Sequence, residues 1–405
     1  MYRKADDTIK RSSSDQSDPF SDLNPCEVQV AINFLQNQRF ENSFASHSDI
    51  GNSMHSTPVR LFLSAPGRIK DALLALAGAM MAQSDAPLRE RNTVVNNVER
   101  CCKAMERLRQ TDVSSVDDAK ATLFVATSLI SYNDMTIGHG FLPIARAALL
   151  AVKPWYHELT HAPSVEADPH LVPVLFAEIS ECLRVDEVPT LRYDSSPRHS
   201  IDPSFGVAQA ILPYLYDICV LRNDFRAGHI STIDAMNVAA KIYDDIQTCN
   251  MHLYVDTEHS TNRDVLSHTQ RSKIIDHGEC YKSMAVLLTF QLRVSLDTIP
   301  GHNTALLVNA LAKQLREDIY AFANSAQPQI RYLLFPYFIA CTELQNKDEQ
   351  KQVHQHMENL SGGIATQSCN RMVEFLQYVW AMRSVDSNVC WFDLVEDGID
   401  FSIGP

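Results

Sequence analysis

The sequence predicts an all-α chain: a large multi-helix domain preceded by a disordered N-terminal tail. Three observations carry this. Apolar residues recur at three- and four-residue spacing through most of the chain, and the strict alternation of a half-buried strand is nearly absent. Capping signals stand where helical periods begin, Ser115 three residues before Asp118 and Ser231 three before Asp234. Glycine is scarce, 13 in all, which argues against many-turned β architectures and glycine-rich phosphate loops.

Residues 1–55 are rich in Ser, Asp and Asn and read as the tail, with a helical turn or two near 28–34 inside the apolar patch VAINFLQNQRF. Lys4, Lys10 and Arg11 resemble a weak nuclear import signal, and an ordinary charged tail is the preferred reading. The helical domain spans 56–405. Ser64 and Pro66 open RIKDALLALAGAMMAQ (68–83), whose apolar face is broad enough for a buried helix. Asp85-Ala86-Pro87 opens the next, through VVNNVERCCKAMERLRQ. The Ser115 box opens AKATLFVATSLI, and FLPIARAALLAV follows and stops before Pro154. Seven prolines from Pro154 to Pro203 imply loops around one helix, LVPVLFAEISECLR.

Helices resume over 203–220, 236–255 and 280–296, with Ile299-Pro300-Gly301 as a stop. Leu307, Leu311, Leu315, Ile319 and Phe322 then line one face of a long amphipathic helix. The apolar IRYLLFPYFIACTEL is expected to kink at Pro336, and a polar helix over 347–358 follows directly. No repeat of 33 to 45 residues is visible, so no helical solenoid is indicated.

Composition bounds the function. Hydrophobic residues at 45% are enough for a sizeable core, and no G-x-x-x-x-G-K-[ST], G-x-G-x-x-G or G-x-S-x-G occurs. The net charge of −14 repels phosphate backbones, and no Lys/Arg-dense segment offsets it. The ten cysteines form no C-x-x-C pair; most, such as Cys219, Cys341 and Cys369, lie in apolar runs as buried thiols suited to a reducing compartment. No secretory leader is apparent, and the longest apolar stretches, such as 72–82, are too short to cross a bilayer.

Candidate chemistry is sparse. His157-Glu158-Leu159-Thr160-His161 matches H-E-x-x-H, in which two His on one helix face bind zinc and the Glu activates water, with Glu181 as a third ligand. Pro154 and Pro163 bracket it and work against the required helix. Asp244-Asp245 invites a magnesium-diphosphate reading, but Thr248 stands where the motif needs an acid, and Asn133-Asp134 lacks its downstream partners. A solvated helix face is the plainer account. His354 and His356 point to different sides of a polar helix and read as surface residues. Met80, Met81, Phe124, Phe335, Phe338 and Trp380 form an aromatic and Met-rich set, read first as core and second as the lining of an effector pocket.

Four blocks carry a family resemblance: RIKDALLALAGAMMAQ; AKATLFVATSLISYND with HGFLPIARAALL; IRYLLFPYFIACTEL with its polar successor; and FLQYVWAMRS with CWFDLVED, holding Trp380 and Trp391. In order and spacing, over 60–400, they resemble the fungal-specific transcription factor domain that follows a Zn(II)2Cys6 cluster in fungal activators. Two features depart from it. His139 and Ala145-Arg146 keep part of the family's His-Leu-x-Gly-Ala-Arg run but lose the Gly, and only Cys26 precedes the helical region where six thiolates would hold two zinc ions.

The resemblance implies a nuclear fungal transcriptional regulator, of secondary metabolism for instance. No catalytic, cofactor-binding or metal residue is assigned, and no cofactor is expected. Expected partners are other transcription regulators or co-regulators, a second copy in a homodimer, and a small apolar effector; no membrane is involved. The alternative is an all-α enzyme, either a zinc metallopeptidase through His157 and His161 or a prenyl-diphosphate enzyme. The missing cluster and the acidic charge predict no direct sequence-specific DNA binding by this chain alone. A gel shift at physiological salt should show no sequence-defined complex, and a footprinted site would refute it.

Overall fold

The computed structural model describes residues 20, 23–36, 60–83, 91–161, 168–194, 201–202, 204–256, 267–296, 302–325, 331–362, 365–386 and 389–397. Lys4, Lys10, Arg11 and most of the tail lie outside them. Among the described residues the chain is helical, with no strand beyond one bridge between Asp202 and Gly206.

Helix α1 (Pro25–Gln36) is longer than the turn or two expected. Asn24 and Glu27 cap each other: Glu27 N donates to Asn24 Oδ1 (2.9 Å) and Asn24 N to Glu27 Oε2 (3.1 Å). Val30, Ala31 and Phe34 are buried and join the core. The broad apolar face of α2 (Pro66–Gln83) is buried from Ile69 to Ala79. Its Gly78 admits α3 (Arg91–Gln110), since a Cβ there would lie 2.0 Å from Asn97 Oδ1. Buried Asp71 on α2 pairs with Arg100 (2.6 Å) and Arg107 (2.5 Å) of α3, and Arg100 also holds Glu27 (2.7 Å). One ion network thus ties three helices.

Ser115 caps α4 (Val116–Thr136) as expected, its Oγ accepting from Asp118 N at 3.1 Å. This helix is buried on nearly every side. The chain returns into α5 (Phe141–Val152) through Gly138 and Gly140, both at positive φ. At Gly138 a Cβ would stand 2.6 Å from Gln367 O, so only glycine allows this approach. Asn133 and Asp134 are buried here, and Asn133 Nδ2 donates to His139 O (3.3 Å). Helix α6 (Tyr156–His161) is short, and α7 (Leu171–Val185) ends on Asp186 at φ 57°. Arg146 of α5 reaches Glu178 (3.2 Å) and Glu187, joining α5 to α7.

Three boundaries differ from expectation. The helix expected from 203 begins later, as a 3-10 turn (Ala208–Ile211) running into α8 (Leu212–Arg226). Asp202 Oδ1 accepts from Ser204 N (2.8 Å) and Phe205 N (2.7 Å), closing a turn that competes with helix. The segment expected over 236–255 splits into α9 (Thr232–Thr248) and α10 (Met251–Asp256), because Cys249 is extended and Asn250 Oδ1 caps His252 N (3.0 Å). Helix α11 (His268–Leu296) starts well before 280 on a reciprocal Ser267 and Gln270 cap.

Helix α12 (His302–Ser325) buries Leu315, Ile319 and Phe322, but Leu307 faces outward and Val308 and Ala312 take its place. The expected kink is absent. A 3-10 turn (Arg331–Leu333) precedes α13 (Leu334–Cys341), so Pro336 lies in the first turn, where its missing N–H leaves no bond unmade. Asn346 caps α14 (Lys347–Ser361); α15 (Thr366–Val385) and a 3-10 segment (Trp391–Asp397) close the fold. Phe335 meets Phe176 edge-on at 5.4 Å, and Phe338 lies 6.2 Å from Phe375 and 6.1 Å from Trp391.

Beside α7 the core holds ionisable groups. Burial pushes Asp168 up to about 6 and Asp202 up to about 7, the charge on Asp168 adding to the latter. Burial lowers His170 to about 4, leaving a neutral imidazole edge-on to Phe124 at 5.3 Å.

Two outcomes follow. Phe338 is fully buried, so Phe338→Ala should cost about 3–5 kcal/mol in urea denaturation. Asp202 binds its proton more tightly when folded, so its contribution to stability is present at low pH and lost as pH rises through about 7. Asp202→Asn keeps an acceptor for Ser204 and Phe205 without the charge. It should be more stable than the parent at pH 8 by roughly 1–3 kcal/mol, the gain vanishing toward pH 4; a pH-independent difference refutes this.

Candidate functional site

The six aromatic and Met residues do not share one lining. Phe124, Phe335 and Phe338 are fully buried in separate contacts, and Met80 and Met81 pack partly buried against the core. Trp380 lines a cleft of about 330 Å³, which none of the other five borders. Gln291 and Val294 of α11 form one wall, Ala305, Val308 and Asn309 of α12 another, and Trp380, Arg383 and Ser384 of α15 a third. Glu343, Leu344, Gln345, Lys347 and Gln350 close one end, and Cys390 adds its thiol.

A satisfied polar network forms the floor. Arg383 grips Glu343 with both guanidinium ends (2.5 and 2.9 Å) and also donates to Thr342 O (2.7 Å) and Val389 O (2.8 Å). Gln291 Nε2 donates to the same Glu343 carboxylate (2.7 Å), and Gln291 Oε1 accepts from Trp391 Nε1 (3.0 Å). Burial works against the Arg383 charge, but Glu343 outweighs it and holds the guanidinium above its ordinary value. Burial pushes the Cys390 thiol up to about 12, so it is no nucleophile at neutral pH. Trp380 Nε1 is spent on Cys341 O (2.9 Å), leaving its ring as cleft wall beside Val294, Val308 and Leu344. With the Arg383 and Gln291 donors already matched, the cleft offers a guest apolar surface and an aromatic face, with Lys347 at its rim.

The other motifs separate. His157 and Glu158 are exposed on the six-residue α6, and the His161 side chain and Pro163 lie outside the described residues. Glu181 is buried on α7 and bonded to Arg184 (3.1 Å). Asp244 and Asp245 are exposed on α9. Among the described residues no group of three or more His, Cys, Asp or Glu could hold a metal ion.

His354 and His356 are not free surface residues. His354 Nε2 lies 2.9 Å from Asn370 Oδ1 of α15, and His356 Nδ1 lies 2.6 Å from Tyr320 Oη and 3.2 Å from Tyr337 Oη. Each fastens α14 to a neighbouring helix. Gln291, Glu343 and Arg383 were missed as a set from sequence. Their signal is a charge or amide inside an apolar block, and only the topology pairs them.

No helix of the described residues is long and apolar enough to cross a membrane. Residues 175–404 match the family described as the fungal specific transcription factor domain, a stretch that contains every wall of the cleft. The blocks at 68–83 and 119–150 lie before it. No curated protein and no solved structure matches the chain.

Proposed function

Because the chain belongs to the fungal specific transcription factor domain family, we propose that it is a nuclear regulator of transcription working through other regulators, with a small, mainly apolar effector seated in the cleft against Trp380. The observation that carries this is the family match over 175–404. The cleft supports the effector, since its buried network is internally matched and Trp380, Val294, Val308 and Leu344 offer apolar surface beside it. Occupation would favour one packing of α11, α12 and α15 over another, by as much as the guest binds the two states differently. Partners, among them other regulators or a second copy, would meet the outer face of α14, where Lys351 and Gln355 are exposed while Val353, Met357 and Leu360 bury the opposite stripe.

Tethering the chain to an unrelated DNA-binding domain tests this. The tethered chain should change transcription of a reporter several-fold in a fungal host. Lys351→Glu with Gln355→Glu should reduce that effect at normal protein level, since exposed changes cost within about 0.5 kcal/mol. Ser384→Trp, an exposed position at the cleft, should alter it by filling the cavity. A reporter indifferent to the tethered chain and to both variants overturns the proposal.

A further inference from the structure

Three charged side chains border the cleft, Glu343, Arg383 and Lys347, and only the last is unmatched. Glu343 is spent on Arg383 and Gln291, and Arg383 on Glu343 and two carbonyls. Lys347 is exposed at the same end and makes no hydrogen bond or ion pair among the described residues. Its acidic neighbours on α14 are committed elsewhere, Asp348 to Lys351 (2.7 Å) and Glu349 to Arg316 (3.6 Å). In a chain of net charge −14, this cleft therefore carries one uncompensated positive charge. Because Lys347 is exposed, its ammonium is open to a guest, and its flexible four-carbon stem can turn over the opening. Away from that end the lining is apolar, with Val294 and Val308 beside the Trp380 ring.

We propose that the effector of this cleft is a planar bicyclic aromatic with one carboxylate on a short arm, its rings against Trp380 and Val308 and its carboxylate on Lys347. The inference rests on the cleft being the effector site and adds the charge its guest carries. A dry cavity of about 150 Å³ holds benzene, so a cleft of about 330 Å³ suits two fused rings. An aromatic guest gains from an offset or edge-on approach to the indole, whose N–H is already turned to Cys341 O. The single positive charge attracts a monoanion and repels an ammonium on the same rings, so it sets specificity more than affinity.

Calorimetric titration of the full chain with naphthaleneacetate, neutral naphthaleneethanol and cationic naphthaleneethylamine tests the assignment on one ring system. The acid should bind saturably, about fivefold tighter than the alcohol, as one solvent-facing ion pair allows, and the amine should bind weakest. Raising the salt concentration should shrink that preference. Lys347→Gln should bring the acid down to the alcohol, and Lys347→Glu should put the amine ahead of the acid. Lys313→Gln, exposed on α12 outside the cleft, should change nothing. Ser384→Trp should abolish binding of all three by filling the cleft. Equal affinity for acid and alcohol in the parent, or an order unmoved by Lys347→Glu, overturns the charge assignment. Alcohol binding that Ser384→Trp removes would then leave the cleft standing as an apolar effector site. Absence of binding by all three probes, or binding that survives Ser384→Trp, overturns the charge assignment and the effector site together.

Discussion

A charge buried among helices must be matched where it lies, and so must the carbonyls at a buried helix end. Arg222 of α8 meets both demands at once, and the packing of the C-terminal half depends on it. Its guanidinium pairs with Asp186, donates to Leu183 O at the end of α7 and to Phe392 O in the last 3-10 turn, and stacks over the Phe392 ring. Burial depresses its basicity, and the Asp186 carboxylate opposes that. Removing this side chain would leave Asp186 to Arg226 and strip two carbonyls of their guanidinium donor at once, a larger loss than any single contact. Arg100, Arg146 and Arg383 repeat the arrangement elsewhere, each joining segments distant in sequence. The helices supply the apolar layers, and the arginines set how their ends meet.

Much of the fold was legible because helices announce themselves locally. The boxes at Ser115 and Ser231 sit where their residues placed them. The misplaced boundaries share a cause: a local side-chain bond that apolar spacing does not register. Asp202 and Asn250 turned the chain inside stretches whose apolar spacing alone continues a helix, while the Ser267 and Gln270 box began α11 ahead of its apolar run. Pro336 misled in another way, since its meaning depends on whether the helix has started. With Leu334 as the first helical residue, a helix-breaking signal becomes a tolerated one.

The cleft was less legible than the fold. Trp380 was read in one aromatic and Met-rich set with Phe338, because periodicity treats the two alike, although one lines a cavity and the other fills the core. Gln291, Glu343 and Arg383 are separated by long stretches of chain and become one network only through packing. The His-rich polar helix shows the converse. His354 and His356 looked solvated, yet each bonds to a residue of an adjacent helix that no local pattern could have paired with it.

The position of the cleft bears on how a regulator of this build could respond to a guest. Its floor is the same network that fixes the C-terminal segment, through Trp391 on Gln291 and Val389 on Arg383. A molecule against Trp380 and Val308, as proposed, would act on surfaces that pack beside the residues holding the last turn. That turn, through Phe392, is held in its turn by Arg222 at the end of α7. Displacing Arg383 by a hydrogen bond's length would leave Glu343 buried and partly unmatched, so the network has few intermediate arrangements. A modest difference in affinity between two arrangements would then shift the whole C-terminal half, and no long mechanical path is needed.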